Sequence, residues 1–567
     1  MKIKELYNQN ESIDTPSYLK KCGVKDIVEF LCPTGKYLDD CFDYYNMNKA
    51  VEMFKSHIGE NTYILCDDDV DGITSTVILY QYMKKIDQNW DIEILVHEGK
   101  ERGLQDEELF NIIKENKHNA TFLIIPDGGT NDKEQADELN LDILVLDHHM
   151  ITTPITNGII VNNQDERNNN ISKNGSGCLV THKFLLALDK SLDFVECFES
   201  ADYIDLVALS LVSDVMNMAD EQNRTYYHYG IETFDCIYNE FLKALFNNFI
   251  GNKPYTQRDI SFKIVPKLNS VCRSKNKELK YIIINAFFGY VDIDKALEEC
   301  ANAHANQIEL VNKIIDNHSD EINNLADNNL VLFSCNDMPR SYSGLIAGKI
   351  MGLSGGKPTI VGKIIDGELI GSLRSPIPLQ GDLDNNDLVE WARGHEQSCG
   401  VLIKEENLQP LIDYYNGLDI SYEPCIEVLR SYSIKTIPDN LFDQFGENMN
   451  VLWGYGIPKP IFEIRDIKYY PIDIKMLGAN KRTLKLIIEN ISILFFNVSN
   501  KTKVDLGLGY FDEDNRFVSE ISTKPKILNI IGTPNINVYN GYVNNQIIVD
   551  EFETLKYIPR TKENVFK

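Results

Sequence analysis

The sequence predicts an α/β protein with a parallel sheet, followed by a smaller α/β region and a C-terminal all-β region. From residue 61 onward, short apolar strands alternate with short helices, which is typical of βαβ units and of a parallel sheet. The strands are apolar without alternation, as in sheets that helices cover on both faces. From residue 440 the segments do alternate and are rich in β-branched and aromatic residues, which predicts a small barrel or sandwich.

The chain is predicted to form several domains, because 567 residues are too many for one hydrophobic core. Helical spacing predicts one long helix over 292–327, whereas 251–280 is expected to be irregular. The predicted regions are 1–60, a helical lead-in; 61–250, the parallel-sheet domain; 251–330, a linker segment and long connecting helix; 331–435, the smaller α/β domain; and 440–560, the all-β domain.

The composition excludes several classes of protein. No apolar run approaches the ~18 residues of a membrane helix, so we expect no membrane partner. Twelve cysteines are scattered without a CxxC pair, which argues against a disulfide framework and predicts a cytoplasmic location. The net charge of −29 counts against a nucleic-acid partner. A local basic groove or a metal cluster is still compatible with it.

Acids and histidines follow three strands of the predicted sheet. One strand ends in three alternating aspartates, a second ends in an aspartate, and a third ends in the sequence Asp-His-His. The carboxyl ends of parallel strands are where open α/β sheets place their ligands. Oxygen and imidazole donors together suit Mg²⁺ or Mn²⁺, so the set predicts metal-dependent phosphoryl transfer. The residues are Asp67, Asp69, Asp71, Asp127, Asp147, His148 and His149.

Three other features are candidates for the same site. Asp214 interrupts an apolar helix, where an unpaired carboxylate is costly, and is the natural fourth acid. The glycine-opened helix start at 175–178 can hold a phosphate on its backbone N–H groups, or its glycines can serve close helix packing. His395 lies in a glycine-containing segment and is predicted to be a site residue.

Several motifs together resemble the DHH phosphoesterase superfamily, and in particular its RecJ-type single-strand exonucleases. CDDDVDG at 66–72, PDGGTND at 126–132, DHH at 147–149 and LSLVSDV at 209–215 resemble the four phosphoesterase motifs. IVPKLNSVCR at 264–273 resembles a RecJ-specific segment. GSLRS at 371–375 and RGHEQSCG at 393–400 resemble the DHH-associated (DHHA1) domain. LWGYGIPKPIF at 452–462, with the following β segments, resembles the OB-type domain of RecJ.

The resemblance implies a centre of two divalent ions, Mn²⁺ or Mg²⁺. Its first motif matches Asp67, Asp69 and Asp71, and which two of these bind metal directly is left open. Asp127 is implied to bridge the ions, and His148 and Asp214 to be further ligands. Asp147 is implied to orient the two histidines, and His149 to contact the scissile phosphate. In the second part of the chain, the residues implied to hold the terminal phosphate are Asn269, Arg273, Ser372, Arg374 and His395.

The activity that the resemblance implies is 5′→3′ exonuclease action on single-stranded DNA, in recombination or repair. The implied partners are single-stranded DNA and a single-strand-binding protein or helicase. One alternative is a DHH phosphodiesterase for short oligonucleotides or cyclic dinucleotides, and another is an inactive DNA-binding scaffold. Departures such as Lys267 and Arg393, which stand where the family has arginine and glycine, concern the grip on substrate more than metal binding.

Overall fold

The chain divides into two compact units, Cys32–Tyr422 and a second unit that combines Met1–Leu31 with Glu423–Lys567. The five predicted regions are a finer division and stay predictions. Among the described residues, no helix is both long and apolar enough to span a bilayer. The computed structural model describes residues 2–8, 11–97, 103–192, 199–233, 237–251, 254–418, 425–438, 440–478, 481–539 and 542–556.

The predicted helical lead-in begins with a strand. This strand, β1, pairs in parallel with a segment at the other end of the chain, where Lys2 lies opposite Cys425. Local helical spacing carries no information about so distant a partner, so this strand is an addition to the predicted helices. The elements of this region are β1 (Lys2–Glu5), α1 (Thr15–Lys21), α2 (Ile27–Leu31) and α3 (Met47–Ser56).

The larger unit contains the predicted parallel sheet. Its strands are β2 (Thr62–Cys66), β3 (Ile92–Val96), β4 (Phe122–Pro126), β5 (Asp142–Asp147) and β6 (Gly158–Asn162). They are ordered β3-β2-β4-β5-β6, and every neighbouring pair is parallel. This confirms the predicted fold class of the domain.

Helices cover both faces of this sheet. Along β2, Ile64 and Cys66 belong to one buried cluster while Tyr63 and Leu65 belong to another on the opposite face. Burial on both faces is why the strand is apolar without alternation. The helices are α4 (Val70–Ile86), α5 (Glu107–Glu115), α6 (Lys133–Ala136), α7 (Gly177–Ser191), α8 (Ile204–Ser213), α9 (Glu221–Tyr227) and α10 (Glu240–Phe249).

The segment 251–280, predicted to be irregular, is largely helical, so that prediction is wrong. Pro266 lies in α12 directly after a π-helical turn over Ile260–Ile264, although a proline in a sequence usually indicates a break. The long helix predicted over 292–327 is interrupted at His318. The helices are α11 (Gln257–Asp259), α12 (Val265–Cys272), α13 (Lys277–Phe288), α14 (Ile293–Asn317) and α15 (Ser319–Leu325).

A five-stranded mixed sheet forms the smaller α/β domain. Its order is β10-β11-β9-β8-β7, with only the β7–β8 pair parallel. Buried clusters lie on both of its faces, with Ile360 in one and Val361 in the other. The elements are β7 (Val331–Ser334), α16 (Ser343–Leu353), β8 (Thr359–Ile365), β9 (Glu368–Arg374), α17 (Gln380–Asp384), β10 (Trp391–His395), β11 (Ser398–Lys404) and α18 (Leu408–Asn416).

The second unit contains the predicted all-β domain. Seven of its strands form one sheet in the order β13-β14-β20-β21-β17-β16-β15, and β18 pairs with β19. The elements are β12 (Cys425–Val428), β13 (Ser431–Ser433), α19 (Leu441–Phe445), β14 (Phe462–Tyr469), β15 (Lys475–Leu477), β16 (Thr483–Ile488), β17 (Ile491–Phe495), α20 (Asn500–Asp505), β18 (Tyr510–Phe511), β19 (Phe517–Val518), β20 (Lys526–Tyr539) and β21 (Tyr542–Lys556).

Candidate metal centre

The loop after β2 carries the first group of acids. Asp67 follows the strand directly, and its side chain is buried. Asp69 caps α4, because its Oδ1 accepts a hydrogen bond from the N–H of Gly72 at 3.1 Å. Position 72 has to be glycine, since a Cβ atom there would lie 2.6 Å from the Cβ of Asp67. The close turn therefore holds Asp67 and Asp69 at the carboxyl end of the sheet.

Asp71 is held by the start of α7. Its two carboxylate oxygens accept hydrogen bonds from the N–H groups of Gly177 and Cys178, each at 2.8 Å. A helix N-terminus favours a negative charge. The sequence predicts either phosphate binding or close packing for this helix start. In the structure the two N–H groups donate to Asp71 and not to a phosphate. The structure also shows close packing, because a Cβ atom at position 177 would lie 2.6 Å from the Cβ of Asp127.

Asp127 follows β4 with a left-handed backbone, φ 61°. Aspartate adopts this conformation more readily than most residues. Its N–H donates to the carbonyl of Leu146 at 2.8 Å, which ties it to the neighbouring strand β5. The side chain is buried, and its Oδ1 accepts no hydrogen bond from the described residues. The backbone therefore turns this carboxylate inward, toward the end of β5.

The Asp-His-His sequence ends β5, and Asp147 organises it. Oδ1 of Asp147 accepts hydrogen bonds from the backbone N–H groups of His148 and His149 at 2.7 and 3.1 Å and lies 2.8 Å from Nδ1 of His149. Its Oδ2 accepts from the N–H of Thr130 at 3.3 Å. Burial opposes a low pKa for Asp147, but His149 and its hydrogen bond bring that pKa below its ordinary value. Asp147 therefore fixes the imidazole of His149 and the backbone of both histidines.

Asp214 reaches the centre from the end of α8. It occupies the C-cap of that helix, and the next residue, Val215, has a left-handed backbone with φ 55°. This conformation is a genuine outlier for a β-branched residue. The Oδ2 of Asp214 lies 3.5 Å from Nε2 of His148. The position that interrupts the apolar helix in the sequence is therefore the point where the helix ends beside the histidines.

The donors are spaced as neighbouring ligands of a metal ion are. Nε2 of His148 lies 3.2, 3.5 and 3.7 Å from carboxylate oxygens of Asp127, Asp214 and Asp71. Ligands that are each ~2.1 Å from one ion lie roughly 3 Å from their neighbours. Among the described residues, three overlapping groups have donor atoms within 4.8 Å of one another. They are Asp67, Asp69 and Asp127; Asp71, His148 and Asp214; and Asp127, His148 and His149.

The electrostatics of the centre also fit a cation. Burial, followed by Asp71 and Asp69, raises the pKa of Asp127 well above its ordinary value. Burial, partly offset by His148, raises the pKa of Asp214 to about 7. Such buried carboxylates repel one another, and bound cations relieve repulsion of this kind. The residues present therefore fit Mg²⁺ or Mn²⁺ by donor chemistry, spacing and charge.

The predicted phosphate-binding residues lie around the start of α16 and the end of β9. Arg374 is mostly buried, and burial, together with the nearby Arg273, lowers the pKa of its guanidinium. The hydroxyls of Ser372 and Ser343 lie 2.8 Å apart, and the hydroxyl of Ser341 donates to the carbonyl of Arg273 at 3.1 Å. Arg273, Arg374 and Ser372, three of the predicted phosphate-binding residues, thus share one neighbourhood.

Two predicted members are less closely tied to this neighbourhood. Asn269 lies on α12 one turn before Arg273, and its carbonyl accepts the N–H of Arg273 at 3.0 Å. His395 is exposed and ends β10, where it pairs with Ser398 in a hairpin rather than lying in a loop. The turn of that hairpin is joined to the segment after β9, because the N–H of Ser375 donates to the carbonyl of Gln397 at 2.9 Å.

One further pair, which the sequence does not predict, lies at the candidate metal centre. Nζ of Lys280 on α13 lies 2.7 Å from Oδ1 of Asp68, the remaining acid of the CDDDVDG motif. Both side chains are largely buried, at 1% and 12% exposed. Local sequence carries no signal for this pair. A lysine in the first turn of an amphipathic helix is ordinarily on its solvated face.

Comparisons with known proteins agree with this architecture. The family model for the DHH family, N-terminal domain, matches residues 61–211, and that for the RecJ OB domain matches residues 437–551. The putative SPbeta prophage-derived single-strand DNA-specific exonuclease YorK of Bacillus subtilis (strain 168) is 25% identical over 588 residues, covering 97% of each chain. The single-stranded-DNA-specific exonuclease RecJ of the same strain is 23% identical over 534 residues, covering 90% of this chain and 64% of RecJ.

Solved structures match over almost the whole chain. RecJ of Thermus thermophilus in complex with Mn²⁺ has a TM-score of 0.72 at 16% identity, covering 99% of this chain and 80% of that one. The same protein with Mg²⁺ has a TM-score of 0.67 at 16% identity, covering 98% and 78%. The fold and the two family models together identify the chain as a RecJ-like member of the DHH superfamily.

Proposed function

We propose that this protein is a metal-dependent 5′→3′ exonuclease that hydrolyses phosphodiester bonds of single-stranded DNA. The observation that carries the proposal is the convergence of His148 with carboxylates from three other segments, at 3.2–3.7 Å. Relatives that match this chain over most of its length are named single-strand DNA-specific exonucleases, which supports the same substrate here.

Two divalent ions, Mn²⁺ or Mg²⁺, would polarise the phosphate and supply a water of lowered pKa for in-line attack. Asp127 belongs to two of the overlapping donor groups, so it is the carboxylate proposed to be shared between the two ions. Asp67, Asp69, Asp71, Asp127, His148 and Asp214 would hold the ions. The N–H groups that hold Asp71 fix its carboxylate in place.

His149 is the residue best placed to contact the scissile phosphate. Its side chain is 38% exposed, whereas that of His148 is 11% exposed. Burial opposes protonation of His149, but the charge of Asp147 and the hydrogen bond with it raise the pKa of His149 to about 9. An imidazolium in this position would stabilise the charge that develops on the phosphate oxygens. The contact of Asp147 with Nδ1 fixes the orientation of the His149 ring.

The 5′→3′ polarity is proposed to depend on two arginines, Arg273 after α12 and Arg374 at the end of β9. A guanidinium fork binds a phosphate through two parallel hydrogen bonds. Arg273 and Arg374, with Ser372, Asn269 and His395, would hold the terminal phosphate of the strand. We place the activity in recombination or repair, with a single-strand-binding protein or helicase as partner. The proposed location is the cytoplasm.

The first test is digestion of a single-stranded oligonucleotide labelled at either end, in Mn²⁺, beside a matched duplex and a dinucleotide. We expect loss from the 5′ end of the single strand by the wild type and none by Asp127→Ala. Cleavage of the dinucleotide alone would replace the proposal with a phosphodiesterase for short substrates, which the charge of −29 would suit. Binding of the strand without any cleavage would identify an inactive scaffold.

The polarity is tested separately with strands that carry a 5′ phosphate or a 5′ hydroxyl. Arg374→Ala should raise KM for the phosphorylated strand about tenfold or more and leave KM for the hydroxyl strand nearly unchanged, because a charge-assisted hydrogen bond is lost only with the former. Equal effects on both strands would exclude Arg374 from binding the terminal phosphate.

A further inference from the structure

One buried ion pair at the centre has no place in the chemistry proposed above. It joins Lys280 on α13 to Asp68, which lies between two of the candidate metal ligands, Asp67 and Asp69. The Lys280 side chain is 1% exposed, and lysine is almost never this buried without a partner. Its Nζ lies 2.7 Å from Oδ1 of Asp68 and donates to the carbonyl of His97 at 2.6 Å.

We propose that Lys280 is a positioning residue that takes Asp68 out of metal binding and fixes the aspartate loop so that Asp67 and Asp69 point at the ions. This inference rests on the proposed function, since it assumes that the loop binds divalent metal. Lys280 itself is not proposed to contact metal or substrate.

The need for such a residue follows from the charge of the loop. Asp67, Asp68, Asp69 and Asp71 place four carboxylates within five residues. Asp68 is absent from the three groups of possible metal ligands among the described residues, although its sequence neighbours are present. A fourth carboxylate with no cation of its own would repel Asp67 and Asp69 or compete with them for an ion. The ammonium group of Lys280 provides that cation from the protein itself.

The position of α13 makes Lys280 a firm anchor. The next residue, Tyr281, donates from its hydroxyl to the carbonyl of Ile94 on β3 at 2.9 Å, and Lys280 binds the carbonyl of His97 just after the same strand. Two successive side chains thus fasten α13 to the edge strand of the sheet. Because α13 is held in this way, the ion pair of Lys280 with Asp68 restricts the aspartate loop more than a surface pair would. A surface lysine keeps most of its rotamer freedom.

The anchor also lies next to the segment proposed to bind the terminal phosphate. Helix α12 ends at Cys272, and Arg273 is its C-cap, only seven residues before Lys280. The carbonyl of Arg273 accepts a hydrogen bond from Ser341. The pair therefore connects the metal-binding loop to α13, the helix that follows Arg273 in the chain.

The test compares Mn²⁺ binding, measured by calorimetric titration of the metal-free full chain, with thermal unfolding of the same samples. Lys280→Met should weaken Mn²⁺ binding 10–100-fold, the usual cost of losing a group that supports metal ligands. Lys280→Met combined with Asp68→Asn should restore binding to within about threefold of wild type, because the unpaired charge is then gone. Asp68→Asn alone should weaken binding about tenfold, since an uncompensated ammonium group repels the ion.

Lys183→Met is the matched control. Lys183 is also 1% exposed and donates from Nζ to a backbone carbonyl, that of Asp39, at 2.7 Å. Replacing Lys183 should change the unfolding temperature but leave the Mn²⁺ affinity unchanged. Equal losses of affinity in Lys280→Met and Lys183→Met would overturn the proposal, as would a double variant that binds no better than Lys280→Met.

Two further results keep the inference separate from the proposed function. If Lys280→Met does not fold, Asp68→Asn provides the test, because asparagine is isosteric with aspartate and the lysine is kept. Unchanged Mn²⁺ affinity in that variant would overturn the inference. If the wild type itself binds no Mn²⁺, the proposed function fails first. If the wild type binds Mn²⁺ and all variants bind equally well, only the role of Lys280 is wrong.

Discussion

The backbone of Gly177 lies directly against the side chain of Asp127. A Cβ atom at position 177 would stand 2.6 Å from the Cβ and 2.7 Å from the Cγ of Asp127, closer than any real contact between such atoms. The N–H of the same glycine holds Asp71. One residue without a side chain therefore allows α7 to approach two of the candidate metal ligands at once.

Gly177→Ala should damage the metal centre more than the fold. The added methyl group forces Asp127 or α7 to move, and overpacking of this kind costs about 1–3 kcal/mol of unfolding free energy. We expect Mn²⁺ affinity and nuclease activity to fall about 100-fold or more, measured by calorimetry and by single-strand digestion. Gly352→Ala is the control, because nothing lies within 4 Å of a Cβ atom there. Wild-type metal binding by Gly177→Ala would contradict the steric argument.

The candidate site was predictable from sequence to the extent that it lies at strand ends. Strands β2, β4 and β5 are short apolar runs, and the residues that follow them, Asp67, Asp127 and His148, meet because parallel strands end at one edge of a sheet. Asp214 was predictable for a different reason, since a carboxylate within an apolar helix needs a partner.

The features that the sequence does not predict depend on contacts between segments that are far apart in the chain. Lys280 is 212 residues from Asp68, and no local pattern distinguishes a buried lysine from a solvated one. Likewise, the role of Gly177 was undecided between phosphate binding and packing, because only the position of Asp71 settles which acceptor its N–H meets. Strand β1 has no signal in the local sequence because its partner, β12, lies at the other end of the chain.

Val215 is predicted to hold Asp214 at the expense of stability. A left-handed backbone costs a residue with a side chain about 1–2 kcal/mol, and Val215 has φ 55° with its side chain 52% exposed. Val215→Gly should therefore raise the unfolding free energy by about 1 kcal/mol, measured by urea unfolding.

The same variant should lower activity, because the backbone after Asp214 becomes free to adopt other conformations. Asn515→Gly is the comparison, since Asn515 also has a left-handed backbone, φ 59°, but lies far along the chain in the β18–β19 turn. It should leave activity unchanged. A fall in stability for Val215→Gly would show that position 215 is not strained.

Lys183 should make stability depend on pH in the alkaline range. Burial lowers the pKa of Lys183 to about 8 from 10.5, so between these values the folded protein binds fewer protons than the unfolded chain. The burial penalty is therefore complete below pH 8 and disappears as the pH rises toward 10.5. Its full size is about 3 kcal/mol, since one pKa unit is worth about 1.4 kcal/mol.

The measurement is urea unfolding of wild type and Lys183→Met at pH 7.5, 9 and 10. The unfolding free energy of wild type should rise relative to that of Lys183→Met as the pH increases. Other groups, such as buried tyrosines, titrate in the same range, and the difference between the two proteins removes their contribution. A difference that is constant with pH would mean that Lys183 has an ordinary pKa in the folded protein.

Asp127→Asn should preserve the stability of the metal-free protein but remove its stabilisation by metal. Burial and the neighbouring carboxylates raise the pKa of Asp127 well above its ordinary value, which penalises the ionised carboxylate relative to its neutral form in the metal-free protein. Asparagine resembles that neutral form in shape and charge, and it tolerates the left-handed backbone at this position. The metal-free variant should therefore unfold at the same temperature as the wild type or above it.

Added Mn²⁺ should stabilise the wild type against unfolding but should not stabilise Asp127→Asn. An ion that binds only the folded state stabilises it in proportion to the logarithm of its concentration, about 2.7 kcal/mol at 100 times Kd. Saturating Mn²⁺ should thus raise the unfolding temperature of the wild type by several degrees, and EDTA should reverse the change. Asp127→Asn should show no such rise, because the neutral amide replaces the carboxylate shared by two donor groups. An equal Mn²⁺-induced rise in both proteins would place the ions elsewhere than at Asp127.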